Sequence, residues 1–138
     1  MCGADVVHSV GDLLGASDVV ITATPAAKPL FAAEAVRRGT HIVVLGADWP
    51  EMQELQVKLF AWAAHVLCDD IRQCASFSDS GKAVNAGALA QNRVAALGKV
   101  LGGDVVIARR AGDIMIADLT GLAVQDIEIA TWFGAKLG

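Results

Sequence analysis

The sequence predicts an α/β fold, a partial, doubly wound and mostly parallel sheet flanked by helices and closed by a C-terminal helix. Three observations carry this expectation. Short β-branched apolar runs alternate with segments at helical spacing, which implies parallel strands joined by crossovers. Of the 138 residues, 54% are hydrophobic and 19% charged, with 14 Gly, 3 Pro and no Tyr, which excludes disorder and favours close-packed layers over an aromatic-rich surface. The length suits one domain over residues 1–138, and no repeat, low-complexity stretch or linker interrupts it.

Taken in order, Ala4–His8 reads as a short strand and Gly11–Leu14 as a single helical turn. Asp18–Thr24 is a β-branched run of the kind buried on both faces of a parallel sheet, and Pro25 stops it. From Leu30 to Arg38 the positions Phe31, Ala32, Ala35 and Val36 fall at helical spacing, with Gly39 placed as a C-cap. His41–Leu45 is the next strand, ended by the loop Gly46-Ala47-Asp48-Trp49-Pro50. A helix over Leu55–Ala64 precedes a strand at His65–Asp69. Two helical stretches follow, Asp70 to about Asp79 and Gln91 to Leu101, separated by Gly81 and Gly87 and ended by Gly102-Gly103. Ile114–Ala117 is a further strand, and Thr120 is placed to N-cap a closing helix from Leu122 to about Leu137.

Composition also narrows the partners. Eleven basic against fifteen acidic residues give a net charge of -4, and basic residues gather no further than the pairs Arg37-Arg38 and Arg109-Arg110, so nucleic acid is not expected as a partner. No apolar run approaches the roughly 18–20 residues that span a bilayer, and Met1–Asp5 shows no secretory signal pattern. Cys2, Cys68 and Cys74 are an odd number without zinc spacing and read as reduced, partly buried thiols of a cytoplasmic protein. His8, His41 and His65, at or near strand starts, read as structural, with no metal site expected. Trp62 and Trp132 fall within helical apolar patterns and are expected to be buried, whereas Trp49 is free to face a substrate or a partner. Ser78-Asp79-Ser80-Gly81-Lys82 lacks the earlier glycine of a phosphate loop and reads as a helix-ending turn.

In doubly wound sheets ligands sit at the carboxyl ends of the strands. The loops to inspect are therefore those carrying Thr24-Pro25, Gly46-Ala47-Asp48 and Asp118-Leu119-Thr120-Gly121. Asp48 reads two ways. It is either a carboxylate presented at a sheet edge, where desolvation raises its pKa toward general acid/base use, or a turn former before Pro50.

Six segments in series, Ser17–Pro25, Gly39–Asp48, Glu54-Leu55, Val66–Asp70, Leu97–Gly103 and Ile114–Asp126, resemble the ornithine cyclodeaminase/mu-crystallin family in the same order. The resemblance implies a Rossmann-like domain binding NAD(H) or NADP(H), in enzymes that act on the carbon–nitrogen bond of amino acids or imines. These convert ornithine to proline and ammonia, or carry out ketimine or alanine redox chemistry. Asp48 matches the family's catalytic acid/base. Thr22, Ala23 and Thr24 match a segment passing the adenosine side of the dinucleotide, Leu45, Gly46 and Ala47 lie under the nicotinamide end, and Thr120 matches a small residue near the nicotinamide and substrate.

The resemblance also implies that parts are missing. Family chains run to more than twice this length, beginning with a substrate domain and then a Gly-x-Gly-x-x-Gly unit, and this chain enters the pattern at about the third strand of the nucleotide fold. No Gly-x-Gly-x-x-Gly occurs in the 138 residues, so weak or absent dinucleotide binding is expected of the chain alone. Glu51 and Met52 stand where the family has Gly and Lys, so a cation is replaced by a thioether. The expectation is a truncated or split relative, not catalytic alone, complemented by an N-terminal half. Its counterpart from another class is a non-catalytic, self-associating module, since an unpaired strand edge and apolar surface favour a homo-oligomer such as a dimer. A folded product without activity is a third possibility.

Overall fold

The computed structural model describes residues 3–46 and 49–137. Its centre is a five-stranded parallel sheet of β1 (Val19–Thr22), β2 (His41–Val44), β3 (His65–Cys68), β4 (Val94–Ala96) and β5 (Met115–Asp118), in the order β1-β2-β5-β3-β4. The helices are α1 (Val10–Ala16), α2 (Val57–Trp62), α3 (Ile71–Phe77), α4 (Asp79–Asn85), α5 (Leu97–Leu101) and α6 (Ala123–Leu137), with 3-10 turns at Ala33–Ala35 and Gln91–Arg93. This is the Rossmann-like α/β layering that the alternation of elements predicts. The last strand in the chain occupies the middle of the sheet, and all four residues of β5 are buried.

Two apolar clusters lie on the two faces. One packs α1, α2 and α4 against Val20, Ile42, Val44, Val66 and Ile116, with Leu59 and Phe60 of α2 fully buried. The other is smaller and joins Leu67, Met115 and Ala117 to Leu97, Val100 and Ile107. It covers the β3–β5 part of the sheet and stops short of β1, where Val19 and Ile21 remain 57% and 63% exposed. β1 is therefore a half-buried edge strand with alternating burial, not a strand buried on both faces. It ends at Thr22, before Pro25 is reached.

Side-chain caps explain where several helices begin. Ser9 Oγ accepts the Asp12 amide at 3.0 Å at the start of α1, and Asp70 Oδ1 accepts the Arg72 and Gln73 amides at 2.9 and 2.8 Å at the start of α3. Ser78 ends α3 and caps α4, accepting the Gly81 amide at 3.2 Å. The stretch from Asp70 is thus two helices, and Ser78–Lys82, expected as a helix-ending turn, ends α3 at Ser78 and begins α4 directly after it.

Other expectations are corrected. Ala4–His8 is not a strand: these residues are exposed and make no ladder, and the outer edge of β1 is unpaired among the described residues. The helix expected over Leu30–Arg38 shrinks to the turn Ala33–Ala35. There the Leu30 amide donates to Glu54 O at 2.8 Å and the Ala33 amide to Gln56 Oε1 at 2.9 Å, so cross-segment acceptors replace the helical ones. Gly39 has no helix to cap, but its φ of +84° turns the chain into β2. Within the expected helix Gln91–Leu101, Val94–Ala96 pair with Val66–Cys68 as β4, tertiary pairing overriding the helix preference of alanine.

The closing helix forms as expected from Ala123, yet every residue of it is exposed, including Trp132 at 58%. Trp62 is also 44% exposed, lying under Lys58 Nζ at 4.8 Å from the ring, so neither tryptophan is the buried residue that periodicity suggested. No helix among the described residues is long and apolar enough to cross a membrane.

Candidate functional site at the carboxyl ends of the strands

Beyond the last ladder bond between β1 and β2, from the Leu45 amide to Thr22 O at 2.8 Å, the two chains part around an open cleft. Ala23, Thr24, Pro25, Leu45, Gly46 and Met52 line it. Ala47 and Asp48 lie outside the described residues, so the expected acid/base carboxylate and one nicotinamide contact are not located. Trp49, on the far side of them, is exposed.

A residue that was not singled out for this site organises the cleft. Glu54 is fully buried, and its carboxylate takes four hydrogen bonds. Thr22 Oγ1 donates to Oε2 at 2.8 Å and the Gly46 amide at 3.1 Å, while the Thr24 amide and hydroxyl both donate to Oε1 at 2.7 Å. Gly46 must be small, since a Cβ there would stand 2.4 Å from Thr24 O and 2.7 Å from Glu54 Oε2. Glu54 is held in turn by α4, where Asp79 Oδ2 accepts the Glu54 and Leu55 amides at 2.9 and 2.8 Å. Lys82 Nζ stands 3.6 Å from Asp79 Oδ1 and donates to the carbonyl of Met52, so α4 anchors this whole segment.

A second carboxylate fixes the loop after β5. Asp69 Oδ2 accepts the Thr120 and Gly121 amides at 2.9 and 2.7 Å, and Oδ1 accepts the Thr120 hydroxyl at 3.0 Å, the Asp70 amide at 2.9 Å and Cys74 Sγ at 3.3 Å. Burial opposes ionisation of Asp69, but these donors outweigh it and hold its pKa below the ordinary carboxylate range. The Thr120 hydroxyl is thereby committed to Asp69 and does not cap α6. Leu119 donates to Val44 O at 2.9 Å, which ties this loop to the end of β2, so Thr120 lies one strand along from the cleft.

Two more buried acids lie behind the site. Asp118 Oδ2 accepts the Ser80 amide at 2.6 Å while its Oδ1 has no partner, and burial pushes its pKa up. Burial likewise raises Asp79, against the pull of the Leu55 and Glu54 amides, with the nearby Asp118 adding to the rise. Cys68 and Cys74 are free and buried as expected, and the Cys68 thiol, together with burial, pushes Cys74 up so that it stays a protonated donor. Burial, with the Arg109 charge, lowers His41, in keeping with a neutral structural histidine. Among the described residues no group of three or more His, Cys, Asp or Glu is placed to hold a metal ion.

Of the residues expected at the site, Thr22, Ala23, Thr24, Leu45 and Gly46 come together around one cleft and one buried carboxylate, and Thr120 stands apart on the Asp69 clasp. Glu54, Asp69, Asp79 and Asp118 went unassigned as site residues; Asp69 and Asp118 each close an apolar run, a signal that could have found them, whereas Glu54 and Asp79 lie among polar neighbours and carry none.

Comparison with known proteins identifies relatives of this fold. The model of the ornithine cyclodeaminase/mu-crystallin family matches residues 3–135. The chain is 39% identical over 114 residues to an alanine dehydrogenase of Archaeoglobus fulgidus, covering 82% of this chain and 35% of that protein. It is 33% identical over 125 residues to the mouse ketimine reductase mu-crystallin, covering 91% of this chain and 37% of the relative. Among solved structures, the iminosuccinate reductase of Paracoccus denitrificans in complex with NAD+ superposes with a TM-score of 0.82 at 32% identity, over 89% of this chain and 38% of the other. An archaeal alanine dehydrogenase dimer with bound NAD superposes with a TM-score of 0.77 at 38% identity, over 83% and 36% of the two chains. This chain therefore spans about a third of the length of these relatives, and it belongs to the ornithine cyclodeaminase/mu-crystallin family.

Proposed function

We propose that this chain forms the nicotinamide-side half of an NAD(P)(H) site in an enzyme that acts on the carbon–nitrogen bond of amino acids or imines, and that it is not catalytic by itself. The observation that carries the reading is the cleft between the ends of β1 and β2, the place where parallel doubly wound sheets take ligands. Its residues suit a flat ring. Ala23 and Gly46 allow close approach of the backbone, and Pro25, Leu45 and Met52 give an apolar wall that keeps water from the reacting atoms. The bound cofactor would supply hydride transfer to or from the carbon of that bond. Asp48 would take up and return protons as the bond is made or broken, with Thr22–Thr24, Leu45–Ala47 and Thr120 as cofactor contacts.

The same residues offer the pyrophosphate no anchor. They include no glycine-rich loop, and the Glu54 carboxylate takes the Thr24 and Gly46 amides that could have met a phosphate. A complementing segment with the phosphate loop and substrate contacts would complete the enzyme. Titration of the purified chain with NADH and NADPH, followed by tryptophan fluorescence, tests this. Weak quenching without saturation in the micromolar range is expected, and a micromolar Kd would overturn the dependence on a phosphate loop.

A second reading, a self-associating module that reuses the fold, is favoured by the bare face of β1 and by α6. That helix exposes Val124, Ile127, Ile129, Trp132, Phe133 and Leu137 around its circumference, a pattern that belongs to a covered helix. In either reading the chain does not stay monomeric, and the buried free thiols of Cys68 and Cys74 fit a reducing compartment such as the cytoplasm. The discriminating result is dinucleotide binding, which the second reading does not require.

A further inference from the structure

We propose that Glu54 is a positioning residue that sets the hydrogen-bond polarity of the cleft, so that the ligand group seated against Thr24 is a donor, a ribose hydroxyl or a carboxamide, and not a phosphate. This rests on the reading that the cleft takes a dinucleotide. A carboxylate only accepts, so both threonine hydroxyls spend their protons on it, Thr22 on Oε2 and Thr24 on Oε1. The half-buried Thr24 lines the cleft, and of the two lone pairs on its oxygen one takes the Ala26 amide at 3.4 Å and one is left to offer there. The Thr24 and Gly46 amides, the donors that a turn could otherwise aim at an anion, also point to Glu54. The one cation beside the cleft among the residues named, Lys82, is spent on the Met52 carbonyl and Asp79, so the floor at Thr24 and Gly46 is acceptor-rich and favours donors over phosphate.

The geometry makes Glu54→Gln a sharp perturbation. Each carboxylate oxygen accepts one hydroxyl and one backbone amide. A hydroxyl can rotate to accept from the new amide group, but a backbone N–H cannot, so either orientation of Gln deprives Thr24 or Gly46 of its acceptor.

The test uses two-dimensional amide NMR on the full chain. Adenosine, a neutral donor of ribose hydroxyls, is expected to shift the Thr24 and Gly46 amides at millimolar concentration, and inorganic pyrophosphate is not. In Glu54→Gln, amide exchange at Thr24 or Gly46 rises at least about tenfold, with Val66 and Ile116 of the central strands unchanged, and where Thr24 is the amide released the adenosine shifts are lost. Thr24→Val, which keeps the shape and removes the hydroxyl, loses the adenosine shifts, and Thr24→Ser restores them. This pair decides the matter if Glu54→Gln does not fold. Equal shifts with pyrophosphate and adenosine, unchanged exchange in Glu54→Gln, or adenosine shifts surviving in Thr24→Val would overturn the proposal. If neither adenosine nor NADH shifts these amides in the parent, the dinucleotide reading itself fails. If NADH shifts them without discrimination between the two probes, the polarity inference alone fails.

Discussion

Replacing Asp69 by Asn tests whether a single carboxylate holds the loop after β5. Asp69 takes five donors, and Asn leaves one oxygen to serve them. The better orientation keeps that oxygen on the Thr120 and Gly121 amides, where no hydroxyl can adapt, and turns the amide group toward Thr120 Oγ1, Cys74 and the Asp70 amide. Two charge-assisted bonds then become neutral and the Asp70 amide loses its acceptor, a total of about 2–4 kcal/mol. For a chain of this size that corresponds to a fall in Tm of about 8–16 °C at neutral pH. The cost must also depend on pH. The folded pKa of Asp69 lies below its unfolded value of about 3.9, so its contribution is present above that value and disappears as pH falls through the folded pKa. Thermal melts of parent and variant from pH 7 down to pH 3 measure this, with the gap in Tm narrowing below about pH 4. A gap equally wide at both ends of the range, or a variant that melts with the parent at pH 7, would refute the ionic clasp.

Asp118→Asn should behave in the opposite sense. Its folded pKa is raised, so its contribution is full below the unfolded value of about 3.9 and is lost as pH rises through the folded one. The variant should therefore gain on the parent in melts between about pH 4 and pH 7, and a constant difference across that range would contradict the buried, half-satisfied carboxyl. On α6, the edge-to-face pair Trp132 and Phe133, with centroids 5.1 Å apart, is exposed, so a Trp132→Glu, Phe133→Glu variant should change the stability of an isolated chain by no more than about 0.5 kcal/mol. The same variant should elute later than the parent in size-exclusion chromatography, and an unchanged elution volume would remove α6 from the association surface.

Much of the fold was legible because the strand signals are strong. His41–Val44, His65–Cys68 and the run before Asp118 are apolar segments bounded by glycine or acids, and each is a strand within a residue of its expected limits. The failures share one cause, partners distant in sequence. Val94-Ala95-Ala96 carries two helix-favouring alanines, and pairing with the open edge of β3 overrides them to make it a strand. Leu30–Arg38 has a helical pattern, but Glu54 O and Gln56 capture its amides first. The site divides in the same way. Thr22, Thr24 and Gly46 could be named from their place after strands, whereas the carboxylate they share is eight residues beyond Gly46 and thirty beyond Thr24, a meeting that no local pattern displays. The one-residue offset of β5 had a similar effect, since Asp118 was read as a loop residue and is instead a buried strand end.

The central proposal is that the cleft at the ends of β1 and β2 receives a dinucleotide. Its most direct test is an NMR titration of the chain with NADH. The account predicts shifts of the Thr22–Thr24, Leu45–Gly46 and Thr120 amides that continue to grow into the millimolar range. Shifts confined to other parts of the chain, or none at all, would contradict it.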